Sequence, residues 1–162
     1  MTRANPARHA EPADVTAPEP GISYLAARLQ RASRKAIAGR VKPFGLTTLQ
    51  YTTLTILLHH RGGLSNAQLA RRSFMTPQAM NEVLTALEQR GLVVRNAHPN
   101  HRRVFPATLT PEGRRVVEAC DAEVEALERE MLAELTPHQI RSMRKGLMAA
   151  VRALGAGFPQ RD

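Results

Sequence analysis

Five helix-start signals divide this chain, and their spacing leaves few folds open. Thr47-Thr-Leu-Gln50, Ser65-Asn-Ala-Gln68 and Thr136-Pro-His-Gln139 each put a hydroxyl residue three places ahead of a glutamine. In that pattern the hydroxyl accepts from the backbone amide of the third helical residue, and the glutamine reaches back to the amide of the cap. Thr76-Pro77 and Thr110-Pro111 add two starts in which proline takes the first helical position, where its missing N–H leaves nothing unsatisfied. Ser65 and Thr76 stand so close that only a short helix and a tight turn fit between them. A short helix, a turn and a second capped helix predict a helix-turn-helix over Leu64–Met80.

The stops agree with the starts. Pro43 ends a first helix predicted over Ile22–Val41, Arg61-Gly-Gly63 ends the second, and Gly91 ends the helix begun at Pro77. After Gly91, Leu92–Arg95 and Arg103–Leu109 are β-prone runs around a polar loop, Asn96–Arg102. A helix-turn-helix followed by a hairpin is a winged helix. The expected fold is therefore mainly α with a small β-hairpin wing, and it joins a winged helix-turn-helix to a helical dimerisation unit drawn from both chain ends. Residues 21–45 form the first dimerisation helix, 46–109 the winged domain and 110–155 two C-terminal dimerisation helices. Residues 1–20 hold four of the eleven prolines and few bulky apolar groups, so they read as a disordered tail, with 156–162 as a second tail.

Charge narrows the function. Between Gly21 and Arg103 stand thirteen Lys/Arg and two acids, a net +11 within a chain of net +9. Such a one-sided field attracts a polyanion, and around a helix-turn-helix the polyanion is double-stranded DNA. No apolar run reaches the ~18 residues of a membrane span, and the first residues lack the apolar core of a signal peptide. The one cysteine fits a reducing cytoplasm. The basic half contains no paired-carboxylate motif, phosphate-binding loop or nucleophile elbow, so neither an enzyme nor a cofactor is expected. His98 with His101, and His59 with His60, lack the Cys or carboxylate neighbours that would complete a metal site.

The helix from Pro77 has two faces. Met80, Val83, Leu84 and Leu87 face a core, and Gln78, Asn81, Glu82 and Thr85 lie opposite. Gln and Asn pair with adenine and Glu accepts from cytosine N4, so the polar face suits the major groove. Thr76 caps this helix beside the DNA. Arg71, Arg72, Arg102 and Arg103 are candidates for phosphate or minor-groove contacts. The helix from Pro111 carries a stripe at Val117, Cys120, Val124, Leu127 and Met131, and the last helix one at Ile140, Met143, Leu147, Val151 and Leu154. With Leu25 on the first helix, Val117, Val124, Leu127, Leu147 and Val151 are the expected dimerisation residues, since one protomer offers little else to cover them. Cys120 reads as a small hydrophobe of that stripe.

Leu46-Thr-x-x-Gln-Tyr51, Leu64-Ser-x-x-Gln-Leu-Ala70, Thr76-Pro-Gln78, Leu87-Glu-x-Arg-Gly-Leu-Val93 and Leu109-Thr-Pro-Glu-Gly-Arg114, in this order, resemble the MarR (multiple antibiotic resistance regulator) family. The resemblance spans about Gly21 to Leu154. It implies a homodimeric winged-helix repressor that reads a pseudo-palindrome and releases it when a small, often phenolic or anionic, effector binds between the winged domain and the dimerisation helices. His101 stands where the family's wing has an Asp, which implies a less braced wing, and Ala79 stands where the family often has a hydroxyl residue. Tyr24, Arg28 and Arg31 follow one another along one side of the first helix, and Tyr51 faces the same junction by the resemblance. A guanidinium fork beside aromatic surface suits an aromatic carboxylate. The alternatives are a ligand-blind architectural DNA binder and a protein-interaction module built on the acidic helix from Pro111.

Overall fold

The computed structural model describes residues 19–60, 62–96 and 105–155. Helix α1 (Ile22–Val41) leads through a 3-10 turn at Lys42–Phe44 to α2 (Thr48–Leu58), α3 (Asn66–Arg72) and α4 (Pro77–Gln89). Strands β1 (Val93–Arg95) and β2 (Ala107–Leu109) pair antiparallel, and α5 (Pro111–Met131) and α6 (Pro137–Ala153) complete the chain. Of the expected tails at 1–20 and 156–162 only residues 19 and 20 are described, and the wing tip at 97–104 lies outside the described residues, as does Arg61 of the second helix's stop.

Each start signal acts as its chemistry requires. The Thr47 hydroxyl accepts from the Gln50 amide at 3.2 Å while Gln50 Oε1 accepts from the Thr47 amide at 3.0 Å. Ser65 with Gln68, and Thr136 with Gln139, close the same reciprocal box. Thr76 caps α4 through the Ala79 amide, and Thr110 caps α5 through the Gly113 amide. Pro43, expected as a plain stop, instead lies inside the 3-10 turn, which ends at Gly45 in the left-handed region at φ 68°. Arg90, just past α4, donates to the Gly45 and Phe44 carbonyls at 2.7 and 3.0 Å and so caps that turn.

The sheet is shorter than expected on its second strand. Phe105 and Pro106 fall outside the strand, which starts at Ala107: the Pro106 carbonyl accepts from the Asn96 amide at 3.3 Å, but proline has no N–H to return the bond. Leu64, ahead of α3, adds an antiparallel bridge to Ala107, with bonds of 3.1 and 2.8 Å. The sheet therefore grips the helix-turn-helix from in front of α3 as well as from behind α4.

The core lies among α2, α3, α4, the sheet and the first half of α5. Leu54, Leu69, Met80, Leu84, Leu87, Val117 and Cys120 are fully buried there. Val117 is a correction: expected on a dimer surface, it packs inside its own protomer because the first half of α5 lies across α2. Cys120, on the same stripe, is buried with it. This docking depends on one glycine. A Cβ at Gly113 would sit 1.9 Å from the Leu92 carbonyl oxygen, so only glycine lets α5 come down on the end of α4. Thr110 ties the two helices together, donating to the Gly91 carbonyl at 2.7 Å while accepting from Gly113.

The rest of the molecule is different. Leu25, Leu29, Met131, Met143, Leu147 and Leu154 are all exposed. α6 touches the body through little more than the Arg144–Glu128 pair at 3.9 Å and the aliphatic side chains that line its junction with α5.

Candidate nucleic-acid interface

α4 presents the expected polar face. Gln78, Asn81 and Glu82 are exposed and Thr85 is half-buried, with Met80, Leu84 and Leu87 buried behind them. The helix is held at its first turn, where the Asn66 side-chain amide donates to the Pro77 carbonyl at 2.8 Å and locks α3 against α4. Thr76 is exposed, but its hydroxyl oxygen is engaged as the cap. Arg71 and Arg72 end α3, and among the described residues neither has a carboxylate partner. Arg102 and Arg103 lie outside the described residues.

Phe74 occupies the turn between α3 and α4 at φ 55°, a region that favours glycine, and its ring is 87% exposed. The fold gains little from that ring.

Not all of the basic segment faces outward. Arg40 pairs with Glu130 at 2.6 Å and Glu123 at 3.4 Å on α5, and the Glu130 hydrogen bond raises its pKa further. Arg90 is spent on carbonyl oxygens. Arg95, at the end of β1, pairs with Glu88 and donates to Asn81 Oδ1 at 2.8 Å and to the Thr85 hydroxyl at 3.4 Å. The sequence reading passed over Arg95. Its signal was the strand's own alternation, which puts residue 95 on the same side as buried Val93, facing α4. Two members of the expected reading face, Asn81 and Thr85, are thus already hydrogen-bonded to the wing strand.

The expected effector residues do not all come together. Arg28 lies 5.8 Å from the Tyr24 ring centroid, and its guanidinium reaches the Tyr24 hydroxyl at 3.5 Å. Both are exposed near the start of α1, and so is Arg31. Tyr51 is a correction: it is 9% exposed, and its hydroxyl donates to Asp121 Oδ1 at 2.7 Å. Burial, with the Asp121 hydrogen bond, pushes its pKa well above the usual phenol value. It joins α2 to α5. The apolar hollow of about 280 Å³ between α1 and α5 is lined by Leu29, Ala36, Val124, Leu127, Met131 and others, with Glu128 at its edge. Aliphatic walls beside a carboxylate suit another apolar side chain better than an anion.

A helix-turn-helix with its second helix exposed, a sheet behind it and a polar outer face define a winged helix-turn-helix protein. The sequence profile of the MarR family matches residues 44–104. The HTH-type transcriptional repressor Rv2887 of Mycobacterium tuberculosis (strain ATCC 25618 / H37Rv) is 39% identical over 126 residues, covering 78% of this chain and 90% of that protein. The crystal structure of the Mycobacterium tuberculosis MarR family protein Rv2887 in complex with DNA is similar with a TM-score of 0.67 at 36% identity, covering 80% of this chain and 96% of that one. The complex of the same protein with salicylic acid gives 0.66 at 38% identity, covering 80% and 95%. The chain belongs to the MarR family.

Proposed function

We propose that this protein is a transcriptional repressor that binds a pseudo-palindromic operator as a homodimer, acts in the cytoplasm without catalysis, and releases DNA when a small aromatic acid binds. The observation that carries the reading is the polar face of α4, exposed on a helix whose opposite face is sealed in the core. The similar repressor's complexes with DNA and with salicylic acid support both halves of it. The exposed apolar residues of α1 and α6 support the homodimer, with Leu25, Val124, Leu127, Leu147 and Val151 as contact residues. Two copies would place their α4 helices in successive major grooves about 34–36 Å apart. Tyr24 and Arg28 together offer the ring and fork that an aromatic carboxylate takes.

The test is fluorescence anisotropy with duplex DNA from upstream of the protein's own gene. Four or more phosphate contacts give a log–log salt slope steeper than about −3. Salicylate is expected to release the DNA from the wild type, and less so from Arg28→Ala. A flat salt dependence overturns the DNA reading. Salicylate that leaves affinity unchanged overturns the effector reading alone. No helix among the described residues is long and apolar enough to cross a membrane.

A further inference from the structure

Arg95 does more than attach the wing strand. We propose that Arg95 determines which base Asn81 reads: it holds the Asn81 carboxamide with its oxygen toward the wing and its NH2 toward the groove, so that the facing base is chosen by its acceptors. The inference rests on the operator reading above.

The chemistry is restrictive. A guanidinium has donors only, so the Asn81 atom 2.8 Å from Arg95 Nη1 must be the oxygen. The arginine itself has little freedom, because Glu88 holds its other nitrogen and Thr85 Oγ1 lies 3.4 Å from it. Half-buried between β1 and α4, the fork is fixed from both ends. Asn81 is exposed; Arg95 occupies one of the two lone pairs of its oxygen, while both N–H donors of its nitrogen are without a partner among the described residues. An unrestrained asparagine can turn its amide over and present either end. A clamped one leads with a donor. In the major groove guanine offers N7 and O6, adenine N7 and thymine O4 as acceptors, whereas cytosine offers only its N4 donor. The position facing Asn81 therefore rejects cytosine. Gln78 and Glu82, its exposed neighbours, have no such clamp among the described residues.

The experiment is selection from a randomised duplex pool by the full chain, comparing wild type, Arg95→Lys, Asn81→Ala and the double variant. Lysine keeps the charge beside Glu88 but lacks the planar fork that serves Glu88 and Asn81 from two separate nitrogens, so it does not hold the Asn81 oxygen in one fixed geometry. In the wild type one half-site position is expected to be depleted of cytosine by about tenfold. Arg95→Lys is expected to lose that depletion while keeping the other positions, and the double variant to match Asn81→Ala alone. An Arg95→Lys profile that matches the wild type, or one flattened at every position alike, overturns the proposal. Asn81→Asp puts two acceptor oxygens behind an intact Arg95. It is expected to turn the same position toward cytosine even if Arg95→Lys does not fold, and an unchanged preference there overturns the proposal too. A wild type that enriches no sequence overturns the operator reading and this inference with it, whereas enrichment that ignores Arg95 overturns only this one.

Discussion

The winged end and the helical end of this molecule are built from similar amphipathic helices, yet one is closed and the other open. In the winged end, Leu54, Leu69, Leu84 and Leu87 are sealed by α2, α3, α4, the sheet and half of α5. In the helical end, Leu25, Leu147 and Leu154 stay exposed on stripes just as regular. α5 belongs to both, with Val117 and Cys120 inside the closed core and Leu127 and Met131 along the open hollow. Amphipathicity says that a face will be covered, not by what. The winged end covers its faces within one chain, and the helical end leaves its faces open for the second copy proposed above.

That contrast can be broken at its joint. Gly113→Ala would drive a methyl into the Leu92 carbonyl, where neither backbone can yield cheaply, and is expected to lower stability by about 4 kcal/mol in urea denaturation. Gly91→Ala is the control, since nothing lies within 4 Å of its Cβ and only its φ of 66° is strained. A small effect at Gly113 would mean that α5 is not seated as described. Within the closed end, Leu84→Ala empties a fully buried site and is expected to cost about 3 kcal/mol, independent of protein concentration.

Leu147→Asp sharpens the contrast from the other side. Leu147 is 43% exposed in one protomer, so the charge should leave the winged core intact. It should weaken association by about 2 kcal/mol, read as monomer in light scattering with an unchanged melting signal from the winged end. Loss of the fold instead would show that the two ends are one cooperative unit. Phe74→Gly is smaller and opposite in sign. It relieves a positive φ at an exposed ring, and a gain of about 1 kcal/mol in thermal unfolding is expected.

The smallest effect concerns the shared helix. Burial, with nearby Asp121, pushes the Cys120 thiol up to about 11. The folded pKa lies above the unfolded one, so the neutral thiol's contribution is complete below the ordinary thiol range and is lost as pH rises through about 11. At pH 8 the folded protein should alkylate roughly a hundredfold more slowly than the urea-unfolded chain. Equal rates would place Cys120 on the open side of α5.

The helix starts were legible because each is a bond between residues three apart. Thr47 with Gln50, Ser65 with Gln68, and Thr76 with the Ala79 amide need no knowledge of the rest of the chain. The polar face of α4 was legible for a similar reason, being set by a period of one helical turn. Arg95 was not, although its side of β1 could be read, because its partners Asn81, Thr85 and Glu88 come from a different element. Val117 was misassigned because a stripe shows only that a face is apolar, and Tyr51 because a resemblance carries no contacts; the crossing of α5 over α2 decides that Val117 is core and that Tyr51 meets Asp121. Caps, stops and periods act within a turn of chain and are written in the sequence. Which face meets which neighbour depends on contacts between distant residues, and packing alone selected those.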